Sequence, residues 1–202
     1  MPYWAVPAAE PFSQGRLTLE VGMASFGDRI VGAMKLNPGT FQEVEHDPAA
    51  MGQAVGVIVL AAVASAIGSI WFTGLTGLVM GVLRALLGYL IWAGIIWLIG
   101  TKLMPEPATK ADFPETFRVV GFAAAPGLLS VLTIIGIIPI LGWLIAALIG
   151  LLILIWTIAA MVVAVREVLD YSSTGKAAIV VVIGAIAYLL INALLTGPRL
   201  YF

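Results

Sequence analysis

Residues 41–68 read FQEVEHDPAAMGQAVGVIVLAAVASAIG. Four ionisable side chains, Glu43, Glu45, His46 and Asp47, crowd five positions, and more than twenty residues without a charge follow. About 20 apolar residues of helix cross a bilayer core. The stretch therefore reads as the lip and body of a first membrane span, residues 51–70. Asp47 followed by Pro48 is a helix-start signal, because Asp caps free backbone amides and Pro suits the first helical position. On this reading Glu43, Glu45 and Asp47 sit near the positive end of that helix's dipole. The competing reading is a metal site, since His and carboxylates are valid ligands. One His with no Cys and no second His is a thin ligand set, so no metal is expected there.

The rest of the chain has the same character. Of 202 residues, 61% are hydrophobic and only 10% charged, against roughly 25% charged in a soluble domain. Such a surface needs lipid around it, which makes the bilayer the first partner. The net charge of -1 gives no basic patch for nucleic acid. With no cysteine, disulfides, thiolate metal sites, cysteine nucleophiles and cysteine lipidation are excluded. Residues 1–50 have no apolar core long enough for a signal peptide.

Four more apolar runs follow, at residues 83–98 (or from Thr76), 119–138, 140–165 and 177–195. WFTGLTG (residues 71–77), TKLMPEPATKADFPETFR (101–118), a tight turn at Pro139 and REVLDYSSTGK (166–176) separate them. The fold class expected is all-α, a polytopic membrane protein of five transmembrane helices. Residues 1–50 form a cytosolic arm and residues 51–202 the membrane domain. Lys and Arg set the orientation. Arg16, Arg29, Lys35, Lys102, Lys110, Arg118, Arg166 and Lys176 fall on one side, and Arg84 and Arg199 on the other. Eight against two puts the N-terminus in the cytoplasm and the C-terminus outside. Trp97 then marks the inner interface, and Trp71, Phe72, Trp143, Tyr201 and Phe202 the outer one. Within the arm, Phe26, Ile30, Val31 and Met34 recur at helical spacing, with Asp28, Arg29 and Lys35 mainly off that face. This predicts a short amphipathic helix, either in the membrane interface or packed under the bundle. The proline-rich residues 1–24 show no apolar period and are expected to order only against a partner.

The spans hold no His, Asp, Glu or Lys ahead of Arg166. A haem would lack an axial ligand, a proton relay would lack acids, and no phosphate-binding fingerprint occurs. No cofactor is expected. A Ser-His-Asp arrangement would need His46 to meet Ser172 or Ser173 and Asp170. Small residues recur at four-residue spacing: Gly77 and Gly81; Ala61, Ser65 and Ser69; Ala146 and Gly150. Such spacing lets helices approach closely, within the bundle or against another membrane protein. Pro126 lies inside the third run and should bend it, freeing a carbonyl near Phe122. Arg84 sits about 12 Å along a second helix that starts at Thr76. A charge at that depth needs a partner or water. Asn192 and the carboxylate of Phe202 are possible partners, and snorkelling to the headgroups is the preferred alternative.

The order of elements carries a resemblance. A short amphipathic segment leads to P-x-x-F-x-E…D-P-x-A from Pro38, then come ETFRVVGFAAAPGLL (residues 115–129), IIPILGWLI and IWTIAAMVVAVREVLDYSSTGKAAIVVVI. Over residues 26–196 this resembles the YIP family, the Ypt/Rab-interacting membrane proteins, in its bacterial branch. The resemblance implies five spans, a cytosolic N-terminus and no known catalytic chemistry. Eukaryotic members bind small GTPases and carry an acidic-aromatic D-L-[YW]-G-P segment. This chain lacks that segment, so GTPase binding is not carried over. The expected function is a non-enzymatic membrane scaffold or accessory subunit with other membrane proteins as partners. A small transporter or channel for an anionic solute is the alternative, with Arg84, Asn192, Pro126, Gly77 and Gly81 as the candidate positions.

Overall fold

The computed structural model describes residues 24–139 and 141–196, which form helices and no strand. In chain order they are α1 (Phe26–Met34), α2 (Pro38–His46), α3 (Ala50–Gly68), α4 (Ile70–Leu98), a π-helical turn (Ile99–Leu103), α5 (Phe113–Phe122), a 3₁₀ segment (Ala125–Ile137), α6 (Gly142–Val168) and α7 (Thr174–Thr196). Five stretches are long and apolar enough to cross a membrane: Ala50–Gly68, Gly77–Leu103, Phe113–Ile137, Gly142–Val168 and Thr174–Leu194. The chain is an all-α integral membrane protein. The expectations for Arg16, Arg199, Tyr201, Phe202 and residues 1–23, and for the side chains of Trp71 and Phe72, lie outside the described residues.

The third span is two pieces. α5 stops at Phe122, four residues before Pro126, which opens the 3₁₀ segment. A 3₁₀ helix is slender and rises about 2.0 Å per residue, and this one lies between α3 and α6. Against α3 the fit depends on missing side-chain atoms. A Cβ on Gly68 would lie 2.2 Å from Thr133 Oγ1 and 2.5 Å from the carbonyl oxygen of Ser130. Cβ atoms placed on Gly121 and Gly127 would touch Ala54 and Ala61, at 3.0 and 3.2 Å. Ala54, Ala61 and Gly68 are spaced by seven, two helical turns, so one stripe of α3 faces the third span.

Two loops of the sequence reading are helical. Residues 70–98 are helix apart from Gly74, whose φ of 61° and ψ of -169° break it. Only glycine adopts that backbone region readily. Residues 113–118 belong to α5. Asp112 Oδ1 accepts from Glu115 N at 2.7 Å and Glu115 Oε2 accepts from Asp112 N at 2.8 Å, a reciprocal cap that starts the helix earlier than its apolar run does.

The acidic knot is resolved by a helix not anticipated from the sequence. Asn37 caps α2 and accepts from Gly39 N at 3.0 Å, with Pro38 in the first turn. Glu43, Glu45 and His46 thus lie on α2, and Asp47 ends α2 instead of capping the first span, whose N-cap residue, Ala49, makes no side-chain cap bond. Asp47 Oδ1 does accept from Ala49 N at 2.9 Å. Its other oxygen lies 2.7 Å from Arg29, so the carboxylate serves both partners. α1 is the amphipathic helix expected, and it packs on the bundle: Phe26 meets Phe122 edge-on at 6.5 Å. Arg29 is not off its inner face but 1% exposed. Its guanidinium donates to Glu43 Oε1 at 2.9 and 3.2 Å and to Gln53 Oε1 at 2.9 Å. Arg118, read as a loop cation, is also buried within α5, where it donates to Val44 O at 3.2 Å and to Glu45 O, closing the C-terminus of α2.

These contacts set the cost of substitutions. Gly68→Ala should cost about 1–3 kcal/mol, because the backbone carbonyl of Ser130 cannot rotate away. Gly81→Ala, where a Cβ meets nothing within 4 Å, should melt like wild type in detergent. Arg29→Met should cost about 3 kcal/mol by stranding Glu43 and Asp47, and adding Glu43→Gln and Asp47→Asn should restore most of it.

Candidate functional site

Arg84 lies seven residues into the second span, about 10 Å along it from Gly77. It is exposed, and among the described residues no acid pairs with it. It borders two cavities. One, of about 510 Å³, lies between α4, α6 and α7; the other, of about 490 Å³, lies between α3, α4 and the 3₁₀ segment. Gly81, Arg84, Ala85 and Tyr89 line both. In the first, the indole N–H of Trp92 is buried without a hydrogen-bond partner, and its ring stands edge-on to Tyr188 at 5.5 Å.

The sequence-derived candidates meet only in part. Gly81 and Arg84 share both cavities, and Gly77 lines the second. Asn192 lines neither and donates to Tyr188 O on its own helix at 3.3 Å. Pro126 is buried at the start of the 3₁₀ segment, outside both walls. The carboxylate of Phe202 lies outside the described residues. Tyr89, Trp92, Thr157 and Tyr188 escaped the sequence reading although they line the first cavity. A signal was present. Gly81, Ala85, Gly88 and Trp92 recur every three or four residues and so share one face of α4.

The second polar region is the end of the bundle that carries α1 and α2. Lys176 Nζ bridges to Glu106 Oε1 at 3.2 Å, Ser172 N donates to Glu106 Oε2 at 3.0 Å, Tyr171 OH donates to Met104 O at 2.8 Å, and Gln42 donates to Glu167 at 2.6 Å. These bonds tie the loops after the second and fourth spans to each other and the end of α6 to α2. His46 Nδ1 faces Gln42 O at 2.8 Å, and no hydroxyl meets His46 among the described residues. Nor do three His, Asp or Glu side chains gather there as a metal site among the described residues. Helical spacing separates the knot: Glu43 and Asp47 turn to Arg29, while Glu45 is buried.

Burial pushes the Glu45 carboxyl up to about 7; His46 opposes the shift, and Asp170, Glu115 and Glu167 add to it. His46 is raised as well, mainly by its hydrogen bond to Gln42 O and then by Glu45. A carboxyl with a raised folded pKa binds its proton more tightly folded than unfolded. Its stabilisation is full below the ordinary value of 4.5 and is lost as pH rises through about 7. His46 titrates with the same sign. The loss should be at most about 3 kcal/mol, since each tenfold gain in proton affinity on folding is worth ~1.4 kcal/mol. Melting in detergent should therefore fall between pH 5 and 8, and Glu45→Gln should flatten most of that slope.

The chain matches the family model of the Yip1 domain over residues 31–194. Comparison with the curated proteins and with the solved structures returns no match. The match takes in α2, the broken third span with its Phe117–Arg118 and Ala125–Pro126 pairs, and all five membrane-crossing stretches. A five-span helical protein with these elements in this order belongs to the YIP family of integral membrane proteins.

Proposed function

We propose that the chain is a non-enzymatic membrane scaffold or accessory subunit, of the bacterial branch of the family, which holds a partner membrane protein or organises the bilayer around it. The observation that carries this reading is the locked cap. Arg29 and Arg118 tie α1 and α2 to α3 and α5 through buried, charge-assisted bonds. A rigid surface outside the bilayer is what a scaffold offers a partner, since little ordering entropy is then lost on binding. Val31, 47% exposed on α1, is an apolar contact point on that surface. We read residues 1–50 as the cytosolic arm, braced on the membrane domain of residues 51–202. The Lys/Arg asymmetry supports a cytoplasmic N-terminus and an external C-terminus, and we read the location as the bacterial inner membrane. The missing D-L-[YW]-G-P segment speaks against a small GTPase as partner.

One observation favours the alternative of an anion transporter: Arg84 borders two cavities at once. The two readings part in one experiment. Gentle-detergent purification should yield a discrete complex with a second membrane protein. Val31→Glu should release that protein without lowering the melting temperature. A clean monomer, or anion flux in reconstituted vesicles that disappears in Arg84→Gln, would reject the scaffold.

A further inference from the structure

A cation in a membrane span must find a counter-charge or water. Arg84 finds no acid among the described residues, and its side chain is exposed at the mouth of the cavity between α4, α6 and α7. That cavity opens sideways, because Leu154, Ile158 and Val182 in its wall are each about half exposed on the lipid-facing side. Its floor on α4 is smooth at Gly81 and Ala85, which carry little or no side chain, and the Tyr188 hydroxyl packs over Gly88. The volume, about 510 Å³, is that of a small-ligand site.

We infer that this groove holds an anionic phospholipid, with the phosphate on Arg84 and one acyl chain along α4 beneath it. The charge argument selects the occupant. A guanidinium offers a planar fork that matches phosphate oxygens, and a lipid phosphate supplies the counter-charge no described residue provides. The apolar wall below accepts a hydrocarbon chain and gives a hydrated anion nothing. The inference stands independently of the scaffold reading, since it concerns the membrane half and needs no protein partner.

The test uses the full chain in mild detergent and three probes: dioleoyl phosphatidylglycerol, dioleoyl phosphatidylcholine and inorganic phosphate. Native mass spectrometry counts retained lipid, and melting reports binding. The wild type should retain phosphatidylglycerol roughly tenfold better than phosphatidylcholine, the scale of one charge-assisted hydrogen bond. Arg84→Gln should abolish that preference, and Arg84→Lys should keep part of it. Gly81→Leu fills open space in the groove, so it should melt normally without lipid and lose phosphatidylglycerol. Equal retention of the two lipids by the wild type would overturn the inference. So would an undiminished preference in Arg84→Gln, full retention in Gly81→Leu, or stabilisation by inorganic phosphate equal to that by phosphatidylglycerol.

Discussion

The bundle depends on how closely α3 approaches the third span. Lipid tails are as apolar as leucine, so membrane helices gain little from burying hydrophobic surface against one another. What remains is contact, and contact requires short distances. Gly68, Ala61 and Ala54 provide them on α3, and Gly121, Gly127 and Ser130 meet them from the other side. The third span can lie there because its second half is a 3₁₀ helix. Thirteen residues in that form cover about 26 Å, where an α-helix would cover about 20 Å. The span reaches across on few residues, and its α-helical first half, α5, is left at the level of the cap.

That placement gives the two buried arginines their separate roles. Arg118 ends a polar stretch by composition, yet it lies within α5 and closes the C-terminus of α2 through Val44 O and Glu45 O. Arg29 comes from the other direction, off α1, and gathers Glu43, Asp47 and Gln53. Buried charges are tolerated when their donors are satisfied: Arg29 is paired with carboxylates and hydrogen-bonded, and Arg118 is hydrogen-bonded to two backbone carbonyls. Glu45 differs. Its backbone oxygen is used by Arg118 while its carboxyl sits buried near other acids, which makes it the pH-sensitive member of the cap.

Arg84 is the contrasting case, an arginine in the membrane half with no acid beside it among the described residues. Nothing in the cap depends on it. It stands between two cavities that α4 divides, so the span with the smallest buried share carries an exposed charge with no acid beside it among the described residues. The molecule thus keeps its structural charges at one end and leaves one for what the bilayer brings.

The sequence by itself determined the class, the number of spans and the break at Pro126. Each is a local property: apolar runs long enough for the bilayer, polar punctuation between them, and a ring that removes a backbone donor. The amphipathic period of residues 26–34 was legible for the same reason, and the order of motifs carried the family. α2 was not read, because its inner face holds few apolar residues and its charges masked the Asn37–Pro38 start. The role of Asp47 was read in part: one carboxylate oxygen does accept from the amide of Ala49, but the other meets Arg29, a partner that no capping signal reveals. Only the tertiary structure decided that Arg29 and Arg118 are buried, that Asn192 lies away from Arg84's cavities, and that Tyr89, Trp92 and Tyr188 surround one of them. Those facts join residues from different helices. Periodicity reports which face of one helix is apolar, not which face of another will meet it.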